Sequence, residues 1–402
     1  MTRPTALYVH VPFCASKCAY CDFFSLPSCE AGAALVEAVV DATLERAARL
    51  SERFGVEGYE SVYVGGGTPS SLPPPLLERL LAGLGRLAPD AAELTVEANP
   101  ESLTRERLDI MVAAGVTRLS VGVQSLDDGE LALMGRPHDA ARAEEAIGLA
   151  AGSGLALSAD LISALPRPKA GRAGRPAGAS LADAARRLVG LGAGHLSIYD
   201  LVVEEGTRFA AALREGELVE PDEDEAWEMR MGAERALEEL GFRRYEVSNY
   251  SRPGAESRHN LAYWRMDSYL GAGPGAVSTI GGLEGGSSLR IEESRDARNY
   301  PARAAELAVD TSVGPRDSAF EVIMMGFRTR FGLDARRFER RFGRRLEGLV
   351  PRSLDAWSER LGPGWGPEGS LALDGRGLDL LNRFLTDCLA ELEETWIQYP
   401  VA

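Results

Sequence analysis

The sequence predicts an α/β protein: a partial (β/α)6 barrel followed by a mainly helical C-terminal domain. Three observations carry that prediction. Short apolar, β-branched-rich runs alternate with helical patterns over the first 240 residues, and parallel neighbours need a crossover helix between them. Six such βα units fall short of the eight that close a full barrel. Beyond about residue 240 the alternation stops. With 45% apolar residues in a chain of 402, there is ample material for packed cores, and a disordered chain is excluded.

The candidate strands are 6–12, 61–65, 93–97, 118–124, 155–162 and 195–202. Each is apolar enough to be buried on both faces, as a strand flanked by helices must be. Helical patterns lie between and after them at 33–53, 74–87, 104–114, 139–151, 180–190 and 222–240. The acidic run Asp222–Glu225 suits the start of the last of these, because carboxylates favour a helix N-terminus. In sheets of this kind the strand ends line one functional face. Here those ends carry a cysteine cluster, the run Gly65–Pro69, Glu97, Gln124 and Asp160. Residues 166–180 are rich in Pro, Gly and Arg and read as a flexible loop. The stretch 242–280 is rich in motifs, a Gly-rich loop follows, and the remainder reads as mostly helical, with an Arg-rich segment at 328–345. The expected division is a barrel domain over 1–240 and a second domain over 241–402.

Sixty acidic against 44 basic residues give a net charge of −16, which argues against a nucleic-acid surface. No run of about 18 apolar residues could cross a membrane, and the N-terminus lacks the long apolar region of a secretory signal. Five cysteines are too few for a disulfide scaffold. Their distribution is more telling. Cys14, Cys18 and Cys21 are spaced C-x3-C-x2-C, so one short loop can turn three thiolates toward three irons of a cubane cluster. A structural zinc would close with four ligands, whereas Cys29 is off any tight spacing and the only nearby His, His10, sits within the first strand. Cys29 and Cys388 read as unpaired thiols.

With Tyr20 before its third cysteine, and with Gly65–Pro69 (GGGTP) after the second strand, the chain resembles the radical S-adenosylmethionine (SAM) superfamily. That resemblance implies a [4Fe-4S] cluster whose open iron binds SAM. Glycines fit such a turn, since their backbone can approach an ammonium group without an intervening side chain. Further runs resemble the oxygen-independent coproporphyrinogen III oxidase family: Tyr8–Cys14 (YVHVPFC), Val96–Pro100 (VEANP), Ser120–Ser125 (SVGVQS), Gly135–His138 (GRPH), Asp160–Ile162 (DLI), Glu204–Thr207 (EEGT) and Tyr245–Asn249 (YEVSN). The resemblance implies SAM contacts from Tyr8, Tyr20, Gly66, Gly67, Thr68, Pro69 and Glu97. Gln124, Arg136 and Asp160 match positions that the oxidase uses for a second SAM.

One departure stands out. The oxidase carries a fourth cysteine two residues after the third; this chain has Phe23 there. A second feature, Ser257–Trp264 (SRHNLAYW), contains an H-N-x-x-Y-W motif. Together they resemble the haem-chaperone branch of the family. That branch implies haem as cargo, a respiratory haem-accepting protein as transient partner, retained cluster and SAM, and a place in porphyrin metabolism. Contact with a membrane-bound target and a homodimer are also implied.

His259 is the candidate haem ligand, since neutral imidazole is a common axial ligand, although a lone His in such a loop is more often a structural hydrogen bonder. Val277 stands where relatives in the branch carry histidine. His10 is expected beside the SAM pocket without a catalytic role, and His138 is expected to be structural. The alternative function is the oxidase itself, SAM-dependent oxidative decarboxylation; Gln124, Arg136 and Asp160 favour it and the missing cysteine opposes it. An oxygen-labile cluster is expected in a reducing cytoplasm.

Overall fold

The computed structural model describes residues 2–169 and 177–398. Its centre is a twelve-stranded sheet. In chain order the strands are β1 (Ala6–Val11), β2 (Ser61–Gly66), β3 (Glu93–Ala98), β4 (Arg118–Gln124), β5 (Ala156–Ser163) and β6 (His195–Asp200), then β7 (Arg243–Arg244), β8 (Asn249–Ser251), β9 (Tyr269–Ala272), β10 (Val277–Ile280), β11 (Ser288–Glu292) and β12 (Val309–Val313). They lie in the order β7-β8-β6-β5-β4-β3-β2-β1-β9-β10-β11-β12. The first six run parallel to one another, as a partial (β/α)6 barrel requires, and β8 pairs antiparallel with β6. β9 also lies parallel to β1, Ala6 beside Tyr269, and β10, β11 and β12 continue antiparallel from there.

The crossover helices follow from amphipathic spacing. In α1 (Ala33–Arg53) Val36, Val39, Val40, Ala47 and Leu50 form one buried stripe, the spacing of a helix face. α2 (Pro74–Leu87) does the same with Leu76, Leu77, Leu80, Leu81 and Leu84. α3 (Arg105–Ala113) starts at Thr104, whose hydroxyl accepts from the Arg107 amide. α4 (Asp128–Met134) ends at Gly135, which is left-handed at φ 70°. α5 (Ala140–Ala151) is capped by Asp139. α6 (Ala177–Gly190) and α7 (Glu223–Glu239) complete the set, and α7 begins in a reciprocal capping box between Asp222 and Glu225, the role expected of that acidic run.

The segment expected as a loop over 166–180 is more ordered at both ends. Arg167–Pro168 pairs with Leu218–Val219, and α6 begins at Ala177; the part between, 170–176, lies outside the described residues. α4 was not foreseen. Past residue 240 the chain gives further strands to the same sheet before becoming mostly helical from α9 (Pro315–Gly326) onward. Two large cores result. One, including Leu7, Val62, Leu94, Leu119, Ile147 and Ile291, holds the sheet and its helices together. The other gathers Ile323, Phe327, Phe338, Phe342, Leu349 and Phe384 between α9 and α10 (Leu381–Gln398). Between β8 and β9, α8 (Arg258–Trp264) starts at the Ser257 cap. Among the described residues no helix is long and apolar enough to cross a membrane.

Candidate functional site

Side chains alternate across a strand, and one parity of the barrel strands is polar. Tyr63 on β2, Thr95 and Glu97 on β3, Ser120 and Gln124 on β4, Ser158 and Asp160 on β5, and His195, Ser197 and Tyr199 on β6 all line one cavity of about 540 Å³. Their neighbours of the other parity, such as Val64, Val96, Leu119, Leu157 and Leu196, lie in the core. The loop after β1 closes over this cavity and brings Cys14, Cys18 and Cys21 to its wall.

Hydrogen-bond donors reach the sulfurs. The Thr68 hydroxyl donates to Cys14 Sγ at 3.6 Å, and Arg136 Nη1 donates to Cys18 Sγ at 3.4 Å. Asn99 joins the two, donating to Thr68 Oγ1 at 3.0 Å and accepting from Arg136 Nη2 at 2.8 Å. Arg136 also donates to the Gly122 carbonyl at 2.9 Å, while its buried Nε has no partner among the described residues. Burial pushes the Cys14 and Cys21 thiols up, the direction expected of sulfurs taken out of water. Among the described residues no three His, Cys, Asp or Glu side chains converge tightly enough for a single metal ion. A cubane asks for no such convergence, because each thiolate meets a different iron. The donor set therefore fits a cluster better than a mononuclear ion. Cys29 is exposed and Cys388 is buried far along the chain; both are free thiols. Phe23 stands 69% exposed at the cavity rim.

The glycine turn after β2 is dictated by close approach. A Cβ on Gly66, whose φ is +106°, would lie 2.5 Å from the His10 ring, and one on Gly67 would lie 2.6 Å from the Phe13 carbonyl. The cysteine loop and the turn are thus packed backbone against backbone, tied by the Gly67 and Thr68 amides donating to the Val11 and Phe13 carbonyls at 2.8 and 2.7 Å. Pro69 is buried at the start of a short 3-10 turn behind them.

Glu97 accepts from the Tyr63 hydroxyl at 2.7 Å and from the Gly66 amide at 3.1 Å, and its carboxyl is pushed up to about 7, chiefly by burial. Asp160 accepts from Ser120 at 3.1 Å and is likewise pushed up to about 6 by burial. Gln124 sits at a β-bulge with φ 67°, a conformation that turns the strand end toward the cavity. Tyr20 lines the cavity and packs on Phe209, ring centres 6.4 Å apart.

Tyr8 and His259, expected in the site, lie elsewhere, and His138 has the structural place expected of it. Tyr8 is not among the lining residues; its hydroxyl donates to His10 Nδ1 at 2.9 Å while His10 Nε2 donates to the Phe24 carbonyl at 2.9 Å. His138 is held between Glu101 and the Val123 carbonyl. His259 is fully buried under β2. Its Nδ1 meets Ser61 Oγ at 2.9 Å, its Nε2 meets the Tyr263 hydroxyl at 2.9 Å, and its ring stacks on Tyr63 at 5.2 Å. Burial pulls His259 down to about 3, so the ring is neutral. In this arrangement neither ring nitrogen is free for a haem iron.

Asn99, Tyr63, Ser120 and Ser197 were not singled out as site residues, yet each lines the cavity. Tyr63, Ser120 and Ser197 were present as period-two polar positions within the strand runs, and Asn99 as part of the VEANP run.

The model of the Radical SAM superfamily matches residues 8–167, and that of the HemN C-terminal domain matches 313–362. In overall fold the chain is similar to the solved structure described as "Coproporphyrinogen III oxidase (HemN) from Escherichia coli is a Radical SAM enzyme", with TM-score 0.75, 20% identity, and 96% and 90% of the two chains covered. Heme chaperone HemW of Escherichia coli (strain K12) is 34% identical over 81% of this chain and 82% of its own. Heme chaperone HemW of Bacillus subtilis (strain 168) is 31% identical over 88% and 91%. Radical S-adenosyl methionine domain-containing protein 1, mitochondrial, of Mus musculus is 34% identical over 98% and 89%. With its barrel-end cavity intact and relatives of this identity aligned along most of both chains, the protein belongs to the HemW family of the radical SAM superfamily.

Proposed function

We propose that the protein is a haem chaperone on a radical SAM scaffold, holding a [4Fe-4S] cluster through Cys14, Cys18 and Cys21 and passing haem to a respiratory acceptor. The observation that supports the cluster most directly is the pair of donors on the sulfurs, Thr68 on Cys14 and Arg136 on Cys18, because such contacts stabilise ligated thiolates. Relatives carrying the name heme chaperone support the cargo. SAM would lie along the Gly66–Pro69 turn, Glu97 and Tyr20, with Gln124, Arg136 and Asp160 able to meet its polar groups; Tyr8 would act from behind, through His10. When bound, cluster and SAM together supply one-electron chemistry. The chain's own part is to orient the ligand, exclude water and hold charge at Arg136, Glu97 and Asp160.

Haem ligation by His259 would require its Nε2 to leave the Tyr263 hydroxyl. A reducing cytoplasm, a homodimer and transient contact with a membrane-bound acceptor belong to the same proposal. The test is anaerobic cluster reconstitution followed by haem titration with and without SAM. A stoichiometric Soret band supports the proposal, and its absence in both arms overturns it. Gln124, Arg136 and Asp160 in the cavity keep a second reading, coproporphyrinogen III oxidase. Protoporphyrinogen formed anaerobically from coproporphyrinogen III, SAM and reductant would establish that reading instead.

A further inference from the structure

The two most exposed large apolar side chains among the described residues, Phe23 and Val202, are each 69% open to solvent, and both stand at the mouth of the barrel cavity. Tyr199, 44% exposed, lines the same opening. Single apolar residues are ordinary on a surface, whereas several gathered on one opening mark a contact. Topology explains how they meet. Phe23 belongs to the loop after β1, Tyr199 to the end of β6 and Val202 to the loop beyond it, and β1 and β6 are the outer strands of the six parallel ones. Curling such a sheet into a partial barrel brings its outer strands toward each other, so the apolar groups reach the mouth from opposite flanks. The two flanks are tied together. The Phe209 amide donates to the Ala19 carbonyl at 3.1 Å, and Arg208 Nη2 donates to the Lys17 carbonyl at 2.9 Å.

Chemistry changes with depth in this cavity. The interior walls are polar, with Thr95, Glu97, Ser120 and Asp160. A ligand confined there would leave Phe23 and Val202 in water, where apolar surface is costly. The mouth suits a flat, apolar body that touches both flanks. Its charges are constrained as well. Asp22 and Glu204 face the mouth, and so does Asp200, with Arg230 at 3.6 Å. Lys17, on the cavity wall, and Arg208 beside it have no carboxylate partner among the described residues. An anionic edge is therefore welcome on the Lys17–Arg208 side and repelled elsewhere.

We propose that haem is seated on this mouth, outside the polar interior, with its macrocycle between Phe23 and the Tyr199–Val202 edge and its propionates toward Lys17 and Arg208. The seat rests on the haem-chaperone reading and says where the cargo lies. It needs nothing from His259, whose two ring nitrogens are engaged. An exposed seat also suits handover, because an acceptor can reach the haem edge without the barrel opening.

The full chain with reconstituted cluster is titrated anaerobically with haem, and the Soret band is read for the parent, Phe23→Ser, Val202→Ser, Lys17→Glu and Leu380→Ser. Leu380 is an exposed apolar residue in the helical part of the chain, so its variant measures indiscriminate adhesion and should bind as the parent does. Phe23→Ser and Val202→Ser should each bind about tenfold more weakly, the loss of one apolar contact. Lys17→Glu should weaken binding a few-fold, more at low salt. Phe23 lies two residues from Cys21, so iron and sulfide content is measured alongside; Val202→Ser, far from the cysteines in sequence, carries the test if that content falls. No Soret band from the parent overturns the chaperone reading and the seat together. A parent band with unchanged affinity in both rim variants, or an equal fall in Leu380→Ser, overturns the seat alone.

Discussion

Thr68 joins the two loops of the site, because one hydroxyl donates to Cys14 Sγ and accepts from Asn99. Thr68→Val keeps the shape and removes both bonds. The expected outcome is roughly tenfold weaker retention of reconstituted cluster, the usual effect of losing an outer partner of a metal ligand. Iron and sulfide content after anaerobic desalting measures it, and unchanged content would refute the role. Glu97 carries a pH signature. Its carboxyl titrates near 7 when folded, against 4.5 ordinarily, through burial first. Between those values the unfolded chain has released a proton that the folded one keeps, so stability falls as pH rises through that window. The contribution is of order 3 kcal/mol. Glu97→Gln cannot ionise, so its urea midpoint should fall less than the parent's between pH 5 and 7.5. Parallel pH profiles would disprove the shift.

Elements differ in how plainly the sequence announces them. The six barrel strands and their helices were legible because apolar runs and helical stripes are long, and α1 and α2 begin and end where their stripes do. The strands after residue 240 were not. β7 and β8 span two and three residues, and β12 is almost wholly exposed, so pairing with a neighbouring edge defines them and no periodicity can. The cysteine loop, the glycine turn and the carboxylates were legible as motifs, and Asn99 lay inside one without a role assigned, while Tyr63 was visible only through parity. His259 could not be placed from sequence, since its two hydrogen bonds come from Ser61, far away in the chain, and from Tyr263 one turn on. It joins α8 to β2. His259→Ala should leave those hydroxyls unpaired beside a cavity and cost about 2–4 kcal/mol. Denaturant unfolding reads this directly; a change below about 0.5 kcal/mol, the usual range for a surface substitution, would show that the junction does not depend on it.

On the scale of the whole molecule, the helical core is fastened to the barrel by buried charge. Arg244, on β7, donates to Asp379 at 2.8 Å, and Arg230, on α7, approaches the same carboxylate at 3.5 Å. Arg244 is 8% exposed, so removing its partner strands a cation that Glu234, 3.6 Å away, balances only in part. Asp379→Ala should therefore cost about 2–3 kcal/mol, read as a lower urea midpoint. An unaltered midpoint would mean that the apolar contacts alone join the two parts.

The parallel pairing of β1 with β9, which sets Ala6 beside Tyr269, has a consequence in time as well as space. The cysteine loop leaves directly from β1, and β1 lies between β2 and β9. A contact so distant along the chain closes late, after the local βα units have formed. Ribosomes deliver the N-terminus first, yet the loop that follows β1 gains its second flank only once Tyr269 has emerged. The cysteine loop is accordingly fully walled only late, and nascent chains halted before β9 would leave its three thiols without their second flank.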